Sequence, residues 1–397
     1  MKRTLLQRLA VFILALLLPG SALAKVQLGI DVLAAQNFAP LQGKRVGLVT
    51  NQTGVSAGGA KTRILLKKNV NLVALFSPEH GIDGTVGAGK YVASRTDGAT
   101  GLTVWSLYGP TRKPTAEMLK GVDVLVYDMQ DIGVRSYTYV STMAKCMEAC
   151  GECGVDFMVL DRPNPLGGER IEGPLIEDKW RSFVGQLPVP YIHGMTAGEL
   201  ASMANAKGWT GKRCKLVVVP MQGWRRGMAW NDTGLTWVQT SPNIPRASSV
   251  PYYAATSIFG SLEGAALDVG IGTGNPFEMA GSAGLDGSSF CSRLSQCGIP
   301  AKPYARSEFG GARLSLSPKS DVNLAAINIH LFANLQRARS GSIFARYRDP
   351  DEILWKVYGS TNIRAQIEGG TAPETIVAGW ARGVQSFRSA RESYLLY

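Results

Sequence analysis

Four apolar runs rich in β-branched residues punctuate the first half of the chain, and each stops at a cluster of polar side chains. Val46 to Val49 runs into Thr50-Asn51-Gln52, and Leu72-Val73-Ala74-Leu75-Phe76 into Ser77-Pro78-Glu79-His80-Gly81. Val122 to Tyr127 meets Asp128 and Asp131, and Phe157 to Leu160 meets Asp161-Arg162-Pro163-Asn164-Pro165. Short continuous apolar runs bounded by turn residues predict strands buried on both faces, as in parallel sheets. Ligands of open α/β sheets bind outside the carboxyl ends of the strands, so these four loops are expected to converge on one crevice.

Helical patterns fall between the runs, at Lys61 to Lys68, Thr115 to Leu119, Tyr139 to Gly151 and Thr196 to Lys207. The last opens with the capping box Thr196-x-x-Glu199. Such alternation implies an α/β domain, a parallel sheet with covering helices, from Gly29 to about Pro220, with Lys215 to Val219 as its last strand. The loops Pro163 to Pro174 and Trp180 to Pro190 exceed ordinary connections and suit function or a lid. After a Trp- and Arg-rich segment, Ser241-Pro242-Asn243-Ile244-Pro245 reads as a linker. It divides residues 25–240 from a smaller α+β domain, 241–397, expected to close over the first. That second part should hold the Gly270 to Gly274 run, a strand at Ala312 to Leu316, and helices from about Val322 to Ala338 and from Ile353 to the end.

A chain of 397 residues exceeds what one core usually supports, in keeping with two domains. Its start, Met1-Lys2-Arg3, then an apolar stretch from Leu9 to Leu18, then Ser21-Ala22-Leu23-Ala24, has the parts of a secretory signal spanning residues 1–24. An exported protein is expected, periplasmic in a cell with two membranes. The apolar stretch is shorter than the ~20 residues a spanning helix needs, so no stable membrane insertion is expected after cleavage. The formal charge of +12 falls to +9 without Lys2, Arg3 and Arg8, which favours acidic glycans or wall fragments as partners. Nucleic acid fits poorly with export and dispersed basic residues. Six cysteines in an oxidising compartment favour disulfides, with Cys291 and Cys297 as a local staple. Cys146, Cys150 and Cys153 lie at i, i+4 and i+7 of a helix but lack the second half of a zinc motif.

Glu79, restrained by Pro78 and flanked by His80-Gly81, places a partly desolvated carboxyl at a strand end, where it can act as a general acid. The bland reading is a cap for the next helix. In Asp131-x-Gly133-x-Arg135-x-Tyr137, Arg135 can hold a ligand carboxylate bidentately or pair internally with Asp131. Asp161, Arg162 and Asn164 suit hydrogen bonds to sugar hydroxyls, or a structural turn. The Gly270 to Gly274 run lacks the helix and acidic partner of a nucleotide site. His-Glu-x-x-His does not occur, and three histidines, of which His330 falls in an apolar helix, argue against a multi-histidine metal centre. Two carboxylates suffice for glycoside hydrolysis with no cofactor and no metal. Glu79 is the leading acid, and Glu172, Asp131, Glu263 and Glu278 remain open as its partner. The rivals are a periplasmic binding protein and a wall amidase or esterase, the latter short of a nucleophile or metal.

At these residues the chain resembles the exo-β-N-acetylmuramidase family. The resemblance rests on Gly29-Ile30-Asp31, Thr50-Asn51-Gln52-Thr53-Gly54, Ser77-Pro78-Glu79-His80-Gly81, Asp131-x-Gly133-x-Arg135-x-Tyr137-Thr138-Tyr139 and Asp161-Arg162-Pro163-Asn164-Pro165. Glu172-Gly173-Pro174, Gly272-Thr273-x-x-Pro276-Phe277 and the terminal Tyr394-Leu395-Leu396-Tyr397 extend it over nearly all of the mature chain. It implies release of N-acetylmuramic acid from the non-reducing end of peptidoglycan fragments, in a cleft between a Rossmann-like domain and a smaller one. Glu79, His80 and Glu172 are then the catalytic candidates. Asn51, Asp131, Arg135, Tyr137, Asp161, Arg162, Asn164 and Thr273 are the candidates for binding muramyl saccharides, and Arg135 or Arg162 would meet the lactyl carboxylate. Glu263 to Gly272 and Glu278 to Gly284 depart from the family pattern, which bears on tolerance of attached peptide or anhydro ends.

Overall fold

The computed structural model describes residues 25–262, 266–317, 319–345 and 353–397. The expected signal segment and Glu263 lie outside them. The first part contains β1 (Arg45–Thr50), β2 (Asn71–Ser77), β3 (Arg95–Thr96), β4 (Thr103–Ser106), β5 (Val124–Asp128) and β6 (Asp156–Leu160). A two-stranded ribbon, β7 (Glu172–Leu175) with β8 (Pro190–Ile192), precedes β9 (Leu216–Val219). Seven of these strands form one sheet in the order β3-β4-β2-β1-β5-β6-β9, parallel throughout except where β3 pairs with β4. Helices α1 (Gly29–Ala35), α2 (Thr62–Asn69), α3 (Ala116–Leu119), α4 (Thr138–Cys153) and α5 (Ala197–Lys207) accompany it. The chain builds outward from β1 first to one side and then, from β5, to the other. The topological switch therefore lies between β1 and β5, whose carboxyl ends carry Thr50-Asn51 and Asp128 to Asp131.

Every residue of β5 is buried, which its apolar run Val124-Leu125-Val126-Tyr127 requires in a strand covered on both faces. One apolar layer packs the α1 side, with Ile30, Leu33, Leu66 and Val126, and a larger one packs the α4 side. Gly29 touches the end of β6 so closely that a Cβ there would stand 2.4 Å from the Asp161 nitrogen. That contact explains the glycine of Gly29-Ile30-Asp31. Asp31 ties the Leu28 and Ala57 amides together.

The second part begins with α6 (Val250–Gly260). It contains an antiparallel sheet ordered β10 (Leu267–Asp268), β11 (Met279–Ala283), β13 (Phe309–Leu314) and β12 (Ala301–Arg306), with α7 (Gly287–Gln296) and α8 (Leu324–Arg337). The expected strand at Ala312 to Leu316 is the end of β13. The expected single helix from Ile353 is four pieces, α9 (Ile353–Tyr358), α10 (Asn362–Glu368), α11 (Pro373–Ala378) and α12 (Ala381–Arg391), broken at Gly359, Gly369-Gly370 and Gly379. The cysteine expectation is also corrected, since all six thiols are free. Cys146 and Cys150 fill the α4 core, while Cys291 is buried and Cys297 exposed at the end of α7.

Candidate active site

β2 ends at Ser77, and the chain then turns sharply. His80 and Gly81 both adopt left-handed backbone, at φ 70° and 77°, and His80 Nδ1 sits 2.7 Å from the Val86 carbonyl. An imidazole nitrogen bonded to a carbonyl oxygen is the protonated one, so Nδ1–H donates. This turn folds the following loop back until the Gly89 amide donates to Glu79 Oε1 at 2.7 Å. From the first turn of α4, Thr138 Oγ1 donates to Glu79 Oε2, also at 2.7 Å. Glu79 is thereby buried and oriented by the loop on one side and the helix start on the other.

Around it stand phenols. Tyr108, just beyond β4, lies near Glu79, and its pKa is pushed up to about 12, first by burial and then by the Glu79 carboxylate. Tyr137 packs edge-on against Tyr139 (4.8 Å between centroids) and Tyr253 (5.8 Å). Tyr253 belongs to α6 and meets Phe277 at 4.9 Å, so the second domain closes the aromatic cluster. Burial, the largest influence, raises the pKa of Tyr253 and Tyr139, and the Glu79 charge adds to both. Thr240 holds the cluster from above, accepting from Tyr137 at its hydroxyl (2.9 Å) and from Tyr139 at its carbonyl.

Asp131, just beyond the end of β5, reaches one tyrosine of this cluster, Tyr137. Its Oδ2 accepts the Gly133 amide at 2.7 Å, its Oδ1 is buried with no partner, and burial pushes its pKa up to about 7. Its charge is felt at Tyr127 and Tyr137. Asn51, at the end of β1, accepts the Thr53 amide and hydroxyl at Oδ1, leaving Nδ2 buried and unpaired. An unpaired buried donor and acceptor at the switch point are groups a ligand can satisfy.

The remaining sequence candidates divide. Arg135 does not face a ligand. It is 1% exposed, and its two terminal nitrogens donate to the carbonyls of Pro174, Val189, Val357 and Tyr358 at 2.7–3.0 Å. Arg162 grips Asp128 through two hydrogen bonds of 2.6 and 3.0 Å and also donates to Val55 O, so its charge is offset within the fold. Asp161 accepts from Thr196 Oγ1, the Gly198 amide and Tyr397 OH, which makes it an anchor for the start of α5. Asn164 bridges Met195 O and the Leu166 amide in a turn beneath Gly133. Glu172 pairs with Arg170 and accepts the Ala325 amide at the start of α8. It borders a separate cavity of about 470 Å³ and, among the described residues, shares no hydrogen-bond partner with Glu79. Thr273 donates to Gly270 O and accepts from Asn275 N within its own loop. His193 is buried and pushed down to about 3, chiefly by desolvation, which makes it a neutral core group.

Sequence reasoning overlooked Arg112. Its guanidinium lies 4.8 Å from the Tyr108 ring centre and 4.7 Å from that of Phe183, is exposed, and is not ion-paired among the described residues. A cation held over two aromatic faces, one of them the Tyr108 ring that neighbours Glu79, is positioned to receive an anion. Only its nearness to Tyr108 in the chain hinted at this, because Phe183 arrives from a distant loop.

Two family models match the chain: "Exo-beta-N-acetylmuramidase NamZ, N-terminal" over residues 46–248 and "Exo-beta-N-acetylmuramidase NamZ, C-terminal" over 252–397. The peptidoglycan beta-N-acetylmuramidase NamZ of Bacillus subtilis (strain 168) is 39% identical over 392 residues, covering 94% of this chain and 92% of that protein. The crystal structure of a DUF1343 family protein from Bacteroides fragilis NCTC 9343 superposes with a TM-score of 0.86 at 39% identity, over 94% of this chain and 99% of its own. A second DUF1343 structure from that organism gives 0.74 at 30% identity, with the same coverage of both chains.

Proposed function

The chain belongs to the exo-beta-N-acetylmuramidase NamZ family, and from that membership and the geometry of the crevice we propose that Glu79 protonates the glycosidic oxygen of a muramyl saccharide. The protein is an exo-acting glycoside hydrolase that releases N-acetylmuramic acid from the non-reducing end of peptidoglycan fragments. The observation that carries the residue assignment is the Glu79 carboxyl. It is buried at the carboxyl end of β2 and fixed by Gly89 and Thr138, beside an aromatic cluster that Tyr253 of the second domain joins. Asp131, with a free oxygen and a pKa near neutrality, is the second carboxylate in place of Glu172. Arg112 takes the role expected of Arg135 or Arg162 and meets the lactyl carboxylate. Asn51 offers its unpaired amide to the sugar.

The leader-like start of the chain supports export with cleavage after Ala24, to the periplasm where there are two membranes. Among the described residues no helix is long and apolar enough to cross a membrane.

The test is incubation with a muramyl-glucosaminyl disaccharide and with a chromogenic muramide. The native chain should liberate free muramic sugar, and Glu79→Gln should lower kcat by roughly 10³-fold, the scale of a lost general acid. Arg112→Leu should raise KM for the muramide about tenfold or more, the worth of one charge-assisted contact. A native chain that binds the disaccharide but never cleaves it, with Glu79→Gln binding equally well, would make the protein a wall-fragment binder.

A further inference from the structure

A cavity of about 370 Å³ opens beside the carboxyl ends of β1, β5 and β6. Neither Glu79 nor any tyrosine of its cluster lines it. The strip that passes between the two places serves both: Thr236 and Val238 face the cavity, and Thr240 holds Tyr137 and Tyr139. We propose that this cavity is a second binding site, for a hydroxylated carboxylate of monosaccharide size, separate from the Glu79 crevice.

Its volume falls in the range of small-molecule pockets. Among the described residues the charged side chains on its wall are Lys25, Lys61 and Arg162, and no carboxylate lines it. Because Asp128 offsets Arg162, the two lysines supply the net positive charge. Each is held in place through one backbone carbonyl, Lys25 Nζ donating to Ala57 O at 2.5 Å and Lys61 Nζ to Gln52 O at 2.8 Å. An ammonium has three donors, so both keep capacity for an anion while their long side chains are already ordered.

Gln130 supplies the second, independent observation. It lines the cavity and is only 3% exposed, and its amide nitrogen donates to Asp131 O and Pro163 O at 2.8 and 2.7 Å. Its Oε1 has no partner. A buried acceptor left unpaired is unfavourable, and a ligand hydroxyl would satisfy it. Trp230, with Leu28 and Leu235, adds an apolar wall of the kind that packs against the C–H face of a sugar ring. Ammonium groups, an unpaired amide oxygen and an indole together match the carboxylate, hydroxyls and ring face of a sugar acid. A simple anion would leave Gln130 unsatisfied, and a neutral sugar would leave the lysines unused.

Titration of the full chain with D-glucuronate tests this, by calorimetry and tryptophan fluorescence, with D-glucose and acetate as controls. The expected result is saturable glucuronate binding to a single class of sites, retained in Glu79→Gln and weakened about tenfold or more in Lys61→Met. Glucose and acetate should each bind at least about tenfold more weakly than glucuronate. Thr236→Trp, which fills the cavity, should abolish binding even where the lysine variant fails to fold. Cleavage of the chromogenic muramide, read in parallel, should stay within about twofold of native in Lys61→Met, since a lost activity would need to reach the tenfold scale to signal a shared site. Absence of saturable glucuronate binding overturns the proposal. So does binding that disappears in Glu79→Gln and persists in Thr236→Trp, which would assign the ligand to the catalytic crevice.

Discussion

Asp131 is buried with one oxygen bonded to the Gly133 amide and the other without a partner, and desolvation outweighs its backbone hydrogen bonds to raise its pKa from 3.8 to about 7. The folded chain therefore keeps a proton that the unfolded chain gives up between those two values. Stability contributed by the neutral acid is complete below pH 3.8 and is lost as pH rises through about 7. His193 works in the opposite sense, because its pKa falls from 6.5 to about 3, so burying it neutral costs stability as the pH drops through that window. Asp131→Asn should consequently gain stability relative to the native chain on going from pH 4 to pH 8, by up to a few kcal/mol at roughly 1.4 kcal/mol per pKa unit. Urea titrations at the two pH values measure the difference. Equal destabilisation at both would mean that the side chain is held ionised by its surroundings. If Asp131 also works as the ionised partner of Glu79, kcat/KM in the native enzyme should carry a limb near pH 7. The asparagine variant should lose both that limb and most of the rate, a stabler protein with less activity.

The turn from Asp131 to Tyr139, between β5 and α4, shows how one element can carry chemistry at one end and architecture at the other. Arg135 sends its guanidinium into four carbonyls contributed by the β7–β8 region and by α9, so it joins the two parts of the chain through backbone alone. Arg135→Met would leave these acceptors buried and unpaired. At about 1–3 kcal/mol each, less whatever water restores, a loss on the order of 4 kcal/mol or more is expected in urea unfolding. A variant of native stability with a raised KM would return Arg135 to ligand binding. The case explains what could be read in the chain and what could not. Strands β1, β2, β5 and β6, and Glu79 with them, were legible because long apolar runs bounded by polar turns have few other solutions. Asp161, Arg162 and Asn164 sit in the same polar loops, yet their side chains are consumed by Thr196, Asp128 and Met195, partners distant in the chain that no local pattern reveals. Strands β10 to β13 are short, glycines interrupt β11 and β13, and β12 carries Pro303 and no buried residue, so alternation never builds, and the last helix pattern concealed three glycine breaks.

Two family models divide the chain near residue 250, but a single apolar core runs from Val49 and Phe76 through α4 into α6, α8 and Phe387. The chain's end reinforces this continuity by returning to the first sheet. Arg391 donates to the carbonyls of Gly168, His193 and Gly194, and the Leu396 amide donates to Glu199. The last residue, Tyr397, donates to Asp161 Oδ2 at 2.8 Å, accepts the Met221 amide at 2.8 Å, and packs its ring edge-on to Trp224. Asp161 in turn fixes the start of α5 and stands beside the close contact at Gly29, so Tyr397 helps hold the middle of the first domain. Tyr397→Phe keeps the ring and removes only the hydroxyl, which leaves the Met221 amide unpaired and Asp161 with one donor fewer. A loss of about 1–3 kcal/mol is expected, read as a lower urea midpoint with an unchanged slope. With one core and this clasp, near-ultraviolet and far-ultraviolet signals should unfold together in the native chain and in the variant. Separate transitions in the native chain would mean that the two parts are independently stable, and the tyrosine substitution should then move only the first. Coincident transitions that both shift would place the clasp within the single cooperative unit that also positions Tyr253 over Glu79. Activity would then be lost at the same urea concentration as structure, with no range in which the first sheet survives and turns over substrate alone.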